Sequence, residues 1–285
     1  MESPRVLVFG YSDVGHACLK VLLQQNCRVV GVFTHEDNPN ENQWFPSVSK
    51  LAEEHHIPVF KPEKITRAEH ETLIEEQLRP WVILSFYYRN MLPEWLLEKA
   101  ALGAFNLHGS YLPKYRGRAP VNWAVLKGET QTGATLHHMV DAPDAGDIVD
   151  QEAVTIGPDE PAIDVMRRVR DAGVRVLERQ VQALLAGTAP RIPQDESQAT
   201  YFGGRRPEDG RIDWYQDARA VHNLVRAVTH PYPGAFCDQI FPGQRTFIWR
   251  TKVLDHLMGQ PGEILSQRPL IVAAQSGAVE VLEKS

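Results

Sequence analysis

Trp81-Val82-Ile83-Leu84-Ser85-Phe86 decides the fold, because this stretch is almost continuously apolar. A strand that is covered on both faces has this pattern, which is typical of a parallel sheet between two layers of helices. Gly103-Ala104-Phe105-Asn106-Leu107 predicts a second buried strand, and a helical pattern that begins at Pro93 lies between the two. The middle of the chain therefore predicts a strand–helix–strand unit with a right-handed crossover.

The same alternation extends back to the N-terminus. The apolar patterns predict strands at residues 5–9, 27–34 and 57–60, and helices at residues 14–25, 48–55 and 68–77. Repeated strand–helix units of this kind predict an α/β fold, a Rossmann-like, doubly wound and mostly parallel sheet with helices on both sides.

The pattern changes towards the C-terminus. A long helix is predicted at residues 162–186, and a polar, proline-containing segment at 187–197 is typical of a surface linker. Short strands at 247–249, 271–274 and 279–282 and one helix at 218–228 follow. We therefore expect two domains, a Rossmann-like domain at 1–200 and a small, β-rich, OB-like domain at 201–285.

The composition excludes several classes of protein. The 285 residues include 30 basic and 36 acidic side chains, a net charge of −6, and 43% are apolar, which excludes a disordered chain. The mild acidity argues against a protein whose main task is to bind nucleic acid or an anionic membrane. Three separated cysteines predict neither a disulfide framework nor a zinc site. No apolar run suits a signal peptide or a membrane helix, so we expect a cytoplasmic protein.

Candidate catalytic side chains lie at the carboxyl end of the strand at 103–107. Asn106 and His108 alternate along it and point to the same side, at the end where α/β sheets bind ligands. An isolated Asn-x-His pair is more often structural, but a basic loop at 110–120 and the carboxylate-rich loop at 141–147 accompany this one. We expect a carboxylate against His108 to fix its tautomer and to raise its pKa above the usual value of about 6.5.

These motifs resemble those of a known family. Phe105-Asn106-Leu107-His108-Gly109-Ser110, Leu112-Pro113-Lys114-Tyr115-Arg116-Gly117 and Asp144-Ala145-Gly146 are similar to the signature of the 10-formyltetrahydrofolate-dependent formyltransferases. Within that family the chain looks most like the UDP-4-amino-4-deoxy-L-arabinose formyltransferases of lipid A modification, which lowers the affinity for cationic peptides. Stretches such as Phe33-Thr34-His35-Glu36-Asp37-Asn38-Pro39 and Arg226-Ala227-Val228 carry this closer resemblance.

The resemblance implies a mechanism and a folate site. A neutral amine would attack the formyl carbon; Asn106 would stabilise the oxyanion, His108 would transfer the proton, and Asp144 would hold and tune His108. The residues that the resemblance places beside 10-formyltetrahydrofolate, the co-substrate, are Asn90, Met91, Leu92, Arg118, Val140, Asp141, Ala142 and Pro143. The partners implied are folate and a nucleotide sugar, without a metal. The basic face around Arg175 leaves room for a contact in a homo-oligomer.

Several alternatives remain open. A methionyl-tRNA formyltransferase would perform the same chemistry on a polyanion, but residues 35–45 carry three carboxylates and no Lys or Arg. Another nucleotide-linked 4-amino sugar could be the acceptor. A non-catalytic folate-binding protein and a formyltetrahydrofolate hydrolase are further alternatives. Gly10-Tyr11-Ser12-Asp13-Val14-Gly15 is neither a phosphate loop nor a dinucleotide-binding fingerprint.

Overall fold

The computed structural model describes residues 3–36, 45–241 and 243–285. Most of the acidic loop that argues against a tRNA substrate, residues 37–44 of 35–45, lies outside the described residues. No helix within the described ranges is both long enough and apolar enough to cross a membrane.

Two compact units make up the chain, and their segments alternate along the sequence. The first unit contains Met1–Gly117, Gly133–Val154 and Arg168–Tyr201, and the second contains Arg118–Thr132, Thr155–Arg167 and Phe202–Ser285. The chain crosses from the first unit to the second for the last time after Tyr201, next to the domain boundary expected at residue 200. Two earlier segments also belong to the second unit, although they come from within residues 1–200.

A seven-stranded sheet forms the framework of the first unit. Its strands are β1 (Arg5–Gly10), β2 (Arg28–Phe33), β3 (Val59–Phe60), β4 (Val82–Phe86), β5 (Gly103–His108), β7 (Gln131–His138) and β8 (Ile148–Thr155), and the short β6 (Arg116–Gly117) lies outside it. The order is β3-β2-β1-β4-β5-β7-β8. The neighbours from β3 to β5 are parallel, and β7 is antiparallel to β5. This arrangement confirms the Rossmann-like, doubly wound and mostly parallel sheet.

The helices agree with the predicted pattern except at three places. They are α1 (Ser12–Gln24), α2 (Val48–Glu54), α3 (Arg67–Thr72), α4 (Glu94–Leu97), α5 (Pro120–Leu126), α6 (Ala162–Ala186) and α7 (Ala218–Val228). The first exception is α5, which was not predicted. The helix expected at 68–77 continues beyond α3 as a π-helical segment, Leu73–Leu78. The helix expected to begin at Pro93 covers only α4, and Pro93 is its N-cap residue.

Aromatic stacking fills part of the core of the first unit. Phe33 is fully buried, and its ring centroid lies 4.8 Å from that of Phe9 and 4.8 Å from that of Phe60. Ile83 of β4 and Leu96 of α4 belong to the same buried cluster. The apolar run thus predicts a buried strand correctly: all five residues of β4 are buried, and Trp81, which precedes the strand, is 38% exposed.

The second unit contains the antiparallel sheet. Its strands are β10 (Ala235–Phe241), β11 (Gln244–Leu254), β12 (Ile264–Gln267), β13 (Leu270–Ala273) and β14 (Ala278–Lys284), in the order β10-β11-β14-β13-β12. A further short strand, β9 (Tyr201–Phe202), pairs with β6. The β-rich C-terminal part is thus confirmed.

One buried arginine connects the separate segments of the second unit. Arg226 of α7 donates hydrogen bonds to the carbonyl oxygens of Val125 (3.3 Å), Gly157 (3.1 Å) and Glu160 (3.2 Å). Its Nε donates to Asn223 Oδ1, 2.9 Å away. A buried guanidinium needs such acceptors, because an unpaired N–H group in the interior is costly. The stretch at Arg226 therefore has a structural role within this unit.

Candidate active site

Two neighbouring strands bring polar side chains together near the carboxyl end of β5. Asn106 is partly exposed and His108 is only 6% exposed, and both lie on β5, two residues apart. The antiparallel register of β5 and β7 places His137 opposite Asn106. His137 Nε2 lies 3.2 Å from Asn106 Nδ2, so an amide and two imidazoles share this place on the sheet.

Asp144 joins them from the loop between β7 and β8. Its Oδ1 accepts a hydrogen bond from Asn106 Nδ2 at 3.2 Å and lies 3.3 Å from His137 Nε2. Its Oδ2 accepts a hydrogen bond from the backbone N–H of Gly117 at 2.8 Å and lies 3.5 Å from His108 Nδ1. We call Asn106, His108, His137 and Asp144 the polar cluster. The structure therefore brings the three candidate catalytic residues together.

The tautomer of His108 follows from its hydrogen bond to Tyr115. The carbonyl oxygen of Tyr115 lies 2.8 Å from His108 Nε2 and can only accept, so Nε2 carries a proton. In the neutral ring, Nδ1 is then unprotonated and turned towards Asp144. We expected the carboxylate to fix the tautomer, whereas the backbone carbonyl does so.

The direction of the His108 pKa shift also corrects our expectation. Burial lowers the pKa of His108 below its usual 6.5, because a charged imidazolium loses hydration in the interior. Asp144 and the Tyr115 carbonyl act in the opposite direction and His137 lowers the pKa further, but burial has the largest effect. The imidazole of His108 is therefore neutral at neutral pH.

Asp144 remains ionised in this environment. Burial by itself raises the pKa of a carboxyl group, but in the acid range where carboxyl groups titrate, the positive charge of His108, the contact with His137 and the N–H of Gly117 outweigh burial and hold the pKa of Asp144 well below 3.8. A stable carboxylate next to a neutral imidazole can stabilise the imidazolium that forms when His108 accepts a proton. The polar cluster is thus suited to proton transfer.

His137 is a candidate that the sequence analysis missed. Its Nδ1 donates to the carbonyl oxygen of His138, 2.8 Å away, which leaves Nε2 to accept from the Asn106 amide. A signal was present, since Thr135 and His137 alternate as polar residues in a buried stretch. The strand β7 was not predicted, because its glycine and two histidines are unusual in a buried strand.

The candidate folate-binding residues lie in exposed loops, with one exception. Asn90 is exposed and its Nδ2 donates to the carbonyl oxygen of Glu63 at 2.9 Å, and Met91 is 58% exposed. Leu92 is buried and belongs to the apolar core of the first unit. The side chain of Leu92 therefore packs in the core, so that only its backbone is left for the pterin contact that the resemblance implies.

The other folate candidates belong to two different units. Val140, Asp141, Ala142 and Pro143 are all exposed and directly precede Asp144 in the first unit. Arg118 is exposed and belongs to the second unit, where its N–H donates to the carbonyl oxygen of Phe202 at 2.9 Å. Among residues 3–36, 45–241 and 243–285, no group of three or more His, Cys, Asp or Glu side chains could hold a metal ion.

Two family models match most of the chain. The model described as formyl transferase matches residues 4–181, and the model of the formyl transferase C-terminal domain matches residues 205–284. Together they cover the strands of both sheets, including the polar cluster.

Solved structures with the same fold agree with this match. An N-formyltransferase from Helicobacter canadensis, in complex with folinic acid and dTDP-3-aminofucose, has a TM-score of 0.75 and 19% identity over 98% of this chain and 99% of that chain. WlaRD, a sugar 3N-formyltransferase with dTDP and 5-N-formyl-THF, has a TM-score of 0.73 and 17% identity over 98% and 97%. A 4-N-formyltransferase from Francisella tularensis has a TM-score of 0.64 and 21% identity over 80% and 89%.

Proposed function

The chain belongs to the formyl transferase family, and we propose that it transfers a formyl group from 10-formyltetrahydrofolate to the 4-amine of UDP-4-amino-4-deoxy-L-arabinose. The observation that carries this proposal is the polar cluster, in which the partly buried Asp144 carboxylate lies within 3.5 Å of both the Asn106 amide and the neutral His108 imidazole. Each has a separate part in formyl transfer to an amine.

Asn106 stabilises the oxyanion. When the amine attacks the formyl carbon, the formyl oxygen gains negative charge and needs a hydrogen-bond donor. The two N–H groups of Asn106 Nδ2 face Asp144 Oδ1 and His137 Nε2, each 3.2 Å away. The bond to the charged carboxylate holds the amide in place, and the N–H that faces His137 is the one that turns to the oxyanion when substrate binds. A donor that is oriented in advance stabilises the oxyanion by roughly 2.7–4 kcal/mol.

His108 transfers the proton. The amine nitrogen loses a proton as it becomes an amide, and N10 of tetrahydrofolate gains one as the formyl group leaves. His108 is neutral and Nδ1 carries its free lone pair, so this atom accepts the proton from the amine. A positioned base of this kind accelerates a reaction by about 10²–10⁴-fold.

Asp144 supports His108 electrostatically. Its Oδ2 lies 3.5 Å from Nδ1, where an imidazolium would carry its new proton. Because the pKa of Asp144 is held well below 3.8, the carboxylate does not take the proton itself. The folate co-substrate is supported by the relatives that were solved with folinic acid and 5-N-formyl-THF.

Aromatic and basic side chains support a nucleotide-linked acceptor. Tyr11 follows β1, His35 follows β2, and Tyr88 and Arg89 follow β4, next to the point where the strand order reverses. The rings of His35 and Tyr88 are stacked with their centroids 4.2 Å apart, and the guanidinium of Arg89 lies 4.5 Å from the ring centroid of Tyr11. Such groups can stack on a base and neutralise a phosphate. The UDP-4-amino-4-deoxy-L-arabinose acceptor itself rests on the resemblance of the sequence motifs.

A panel of acceptors tests the proposal. The protein is incubated with 10-formyltetrahydrofolate and, separately, with UDP-4-amino-4-deoxy-L-arabinose, dTDP-linked 3- and 4-amino sugars, and methionyl-tRNA. Mass spectrometry then identifies the acceptor in which a formyl group has replaced a hydrogen. We expect the UDP-linked 4-amine to react with the largest kcat/KM.

Each alternative predicts a different result in the same panel. Preferred formylation of methionyl-tRNA or of a dTDP-linked sugar would replace the proposed acceptor. Tetrahydrofolate that forms at the full rate without any acceptor would indicate a hydrolase. Folate binding without turnover on any acceptor would indicate a non-catalytic folate-binding protein. His108→Ala is the control for contaminating activity.

A further inference from the structure

A completely buried arginine directly precedes Gly117, the residue whose N–H donates to Asp144. Arg116 of β6 is 0% exposed. Its guanidinium donates five hydrogen bonds, and every acceptor lies in the segment from Gln194 to Tyr201: Gln194 Oε1 twice, both carboxylate oxygens of Glu196, and the hydroxyl of Tyr201. Five bonds use every N–H that a guanidinium has. Arg116 therefore holds this segment in one place.

Gln194 also connects this segment to the loop between β7 and β8 that carries Asp144. Gln194 Oε1 accepts from Arg116 Nε at 3.1 Å and from Nη2 at 2.8 Å. Gln194 Nε2 donates to the carbonyl oxygens of Asp144 at 2.8 Å and Gly146 at 2.7 Å. Because a guanidinium only donates and a carbonyl only accepts, the amide can take only this orientation.

The backbone of Asp144 needs such support. Its φ angle is +54°, in the left-handed region that residues other than glycine rarely adopt. A residue in this region persists only where its surroundings hold it there. The two hydrogen bonds from Gln194 hold the backbone of residues 144–146, and the N–H of Gly117 holds the carboxylate.

We propose that Arg116 and Gln194 are positioning residues for Asp144. The side chain of Arg116 orients the Gln194 amide, the amide holds the backbone of the Asp144 loop, and the neighbouring N–H of Gly117 holds the carboxylate. The two-residue strand β6 thus fixes Asp144 at both its backbone and its side chain. This inference rests on the proposed role of Asp144 in formyl transfer.

The test removes the hydrogen bonds of Gln194 without changing its charge. Gln194→Met keeps the length of the side chain but cannot bond to Arg116 or to the Asp144 loop. Gln198→Met is the matched control, since Gln198 is exposed in the same segment and its amide donates to Asp195. We expect Gln194→Met to lower kcat by roughly 10–10²-fold, because a misplaced catalytic group costs about that much, with KM nearly unchanged.

A second readout does not depend on any substrate. Asp144 and His137 are the titratable groups near His108, and Asp144 raises its pKa. A displaced Asp144 therefore moves the NMR titration midpoint of the His108 imidazole to lower pH. Lower stability alone leaves the titration of the folded protein unchanged. We expect the shift in Gln194→Met and not in Gln198→Met.

The outcomes separate this inference from the proposed function. If no acceptor in the panel reacts, the His108 titration still tests whether Gln194 positions Asp144. If Gln194→Met does not fold, Gln194→Asn takes its place, since its shorter amide cannot reach both the guanidinium and the two carbonyls; Gln198→Asn is then the control. A folded Gln194 variant with the kcat and the His108 midpoint of its control overturns the inference.

Discussion

The Nε2 atom of His108 lies 2.8 Å from the carbonyl oxygen of Tyr115, on the side of the ring away from Asp144. This hydrogen bond assigns the proton of the neutral ring to Nε2 and the lone pair to Nδ1. The unprotonated Nδ1 and the carboxylate therefore face each other, and in the proposed mechanism the imidazolium would form next to a negative charge.

The titration of His108 should show the balance between burial and Asp144. Burial lowers its pKa below 6.5, so the NMR midpoint of the wild-type imidazole should lie below that value. Asp144→Asn removes a charge that raises the pKa, and the midpoint should move lower still. The resonance is assigned by its absence in His108→Ala. A midpoint that rises in Asp144→Asn contradicts this account of the site.

The pH dependence of turnover should follow the same group. His108 must be neutral to accept a proton, so kcat should fall on the acid side as the imidazole becomes charged. Asp144 contributes no change above pH 4, because its pKa lies well below 3.8. The measurement is kcat from pH 4.5 to 8 at saturating substrates. An acid midpoint of kcat that differs from the NMR midpoint of His108 measured in the substrate-bound enzyme would exclude His108 as the base.

Removal of each candidate catalytic side chain should abolish most of the activity. We expect Asn106→Ala, His108→Ala and Asp144→Ala each to reduce kcat by at least about 10²-fold, through loss of the oxyanion donor, the base and the supporting charge. Circular dichroism checks that each variant is folded. Wild-type rates in any two of them would refute the mechanism.

Gly146 is so closely packed that one added methyl group at this position should displace Asp144. A Cβ atom at Gly146 would overlap with the backbone carbonyl of His138, which cannot move without disturbing β7. Gly146→Ala should therefore lower kcat by about 10-fold or more, because the loop that carries Asp144 must shift. Gly203→Ala is the control, since nothing lies within 4 Å of its added Cβ. Equal activities in the two variants would contradict the prediction.

The aromatic stack in the first unit predicts a large loss of stability. Phe33 is fully buried between Phe9 and Phe60, so Phe33→Ala should lower the free energy of unfolding by about 3–5 kcal/mol. Tyr215→Ala, at a side chain that is 72% exposed, should change it by about 0.5 kcal/mol or less. Urea unfolding measures both. A Phe33 variant as stable as the Tyr215 variant would show that the stack contributes little.

The central strands were predictable because local pattern determines them. The apolar run at 81–86 and the pair Asn106 and His108 at the end of a buried strand are visible without any knowledge of distant residues. Asp144 was found through the family motif. His137 was missed because its place in the site depends on the antiparallel pairing of β5 with β7, which joins residues 31 positions apart.

The other differences between prediction and structure depend on contacts between residues that are distant in the sequence. Gln194 lies in a segment that its composition describes as a linker, and its role emerges only from contact with Arg116, 78 positions away. The predicted direction of the His108 pKa shift was wrong. The prediction considered only the neighbouring carboxylate, whereas burial has the larger effect and depends on the whole fold. The role of each candidate residue and the domain limits 1–200 and 201–285 stay predictions.

The alternating segments of the second unit have a consequence for protein synthesis. Residues 118–132 and 155–167 leave the ribosome long before residues 202–285, with which they form one unit. The amide of Asn122, for example, donates to the carbonyl oxygen of Ala227, 105 positions later. Domains that are contiguous in sequence can fold in order as they emerge. Here a nascent chain that ends at residue 200 still carries two segments without their partners, and the second unit is completed only after translation of its C-terminal strands.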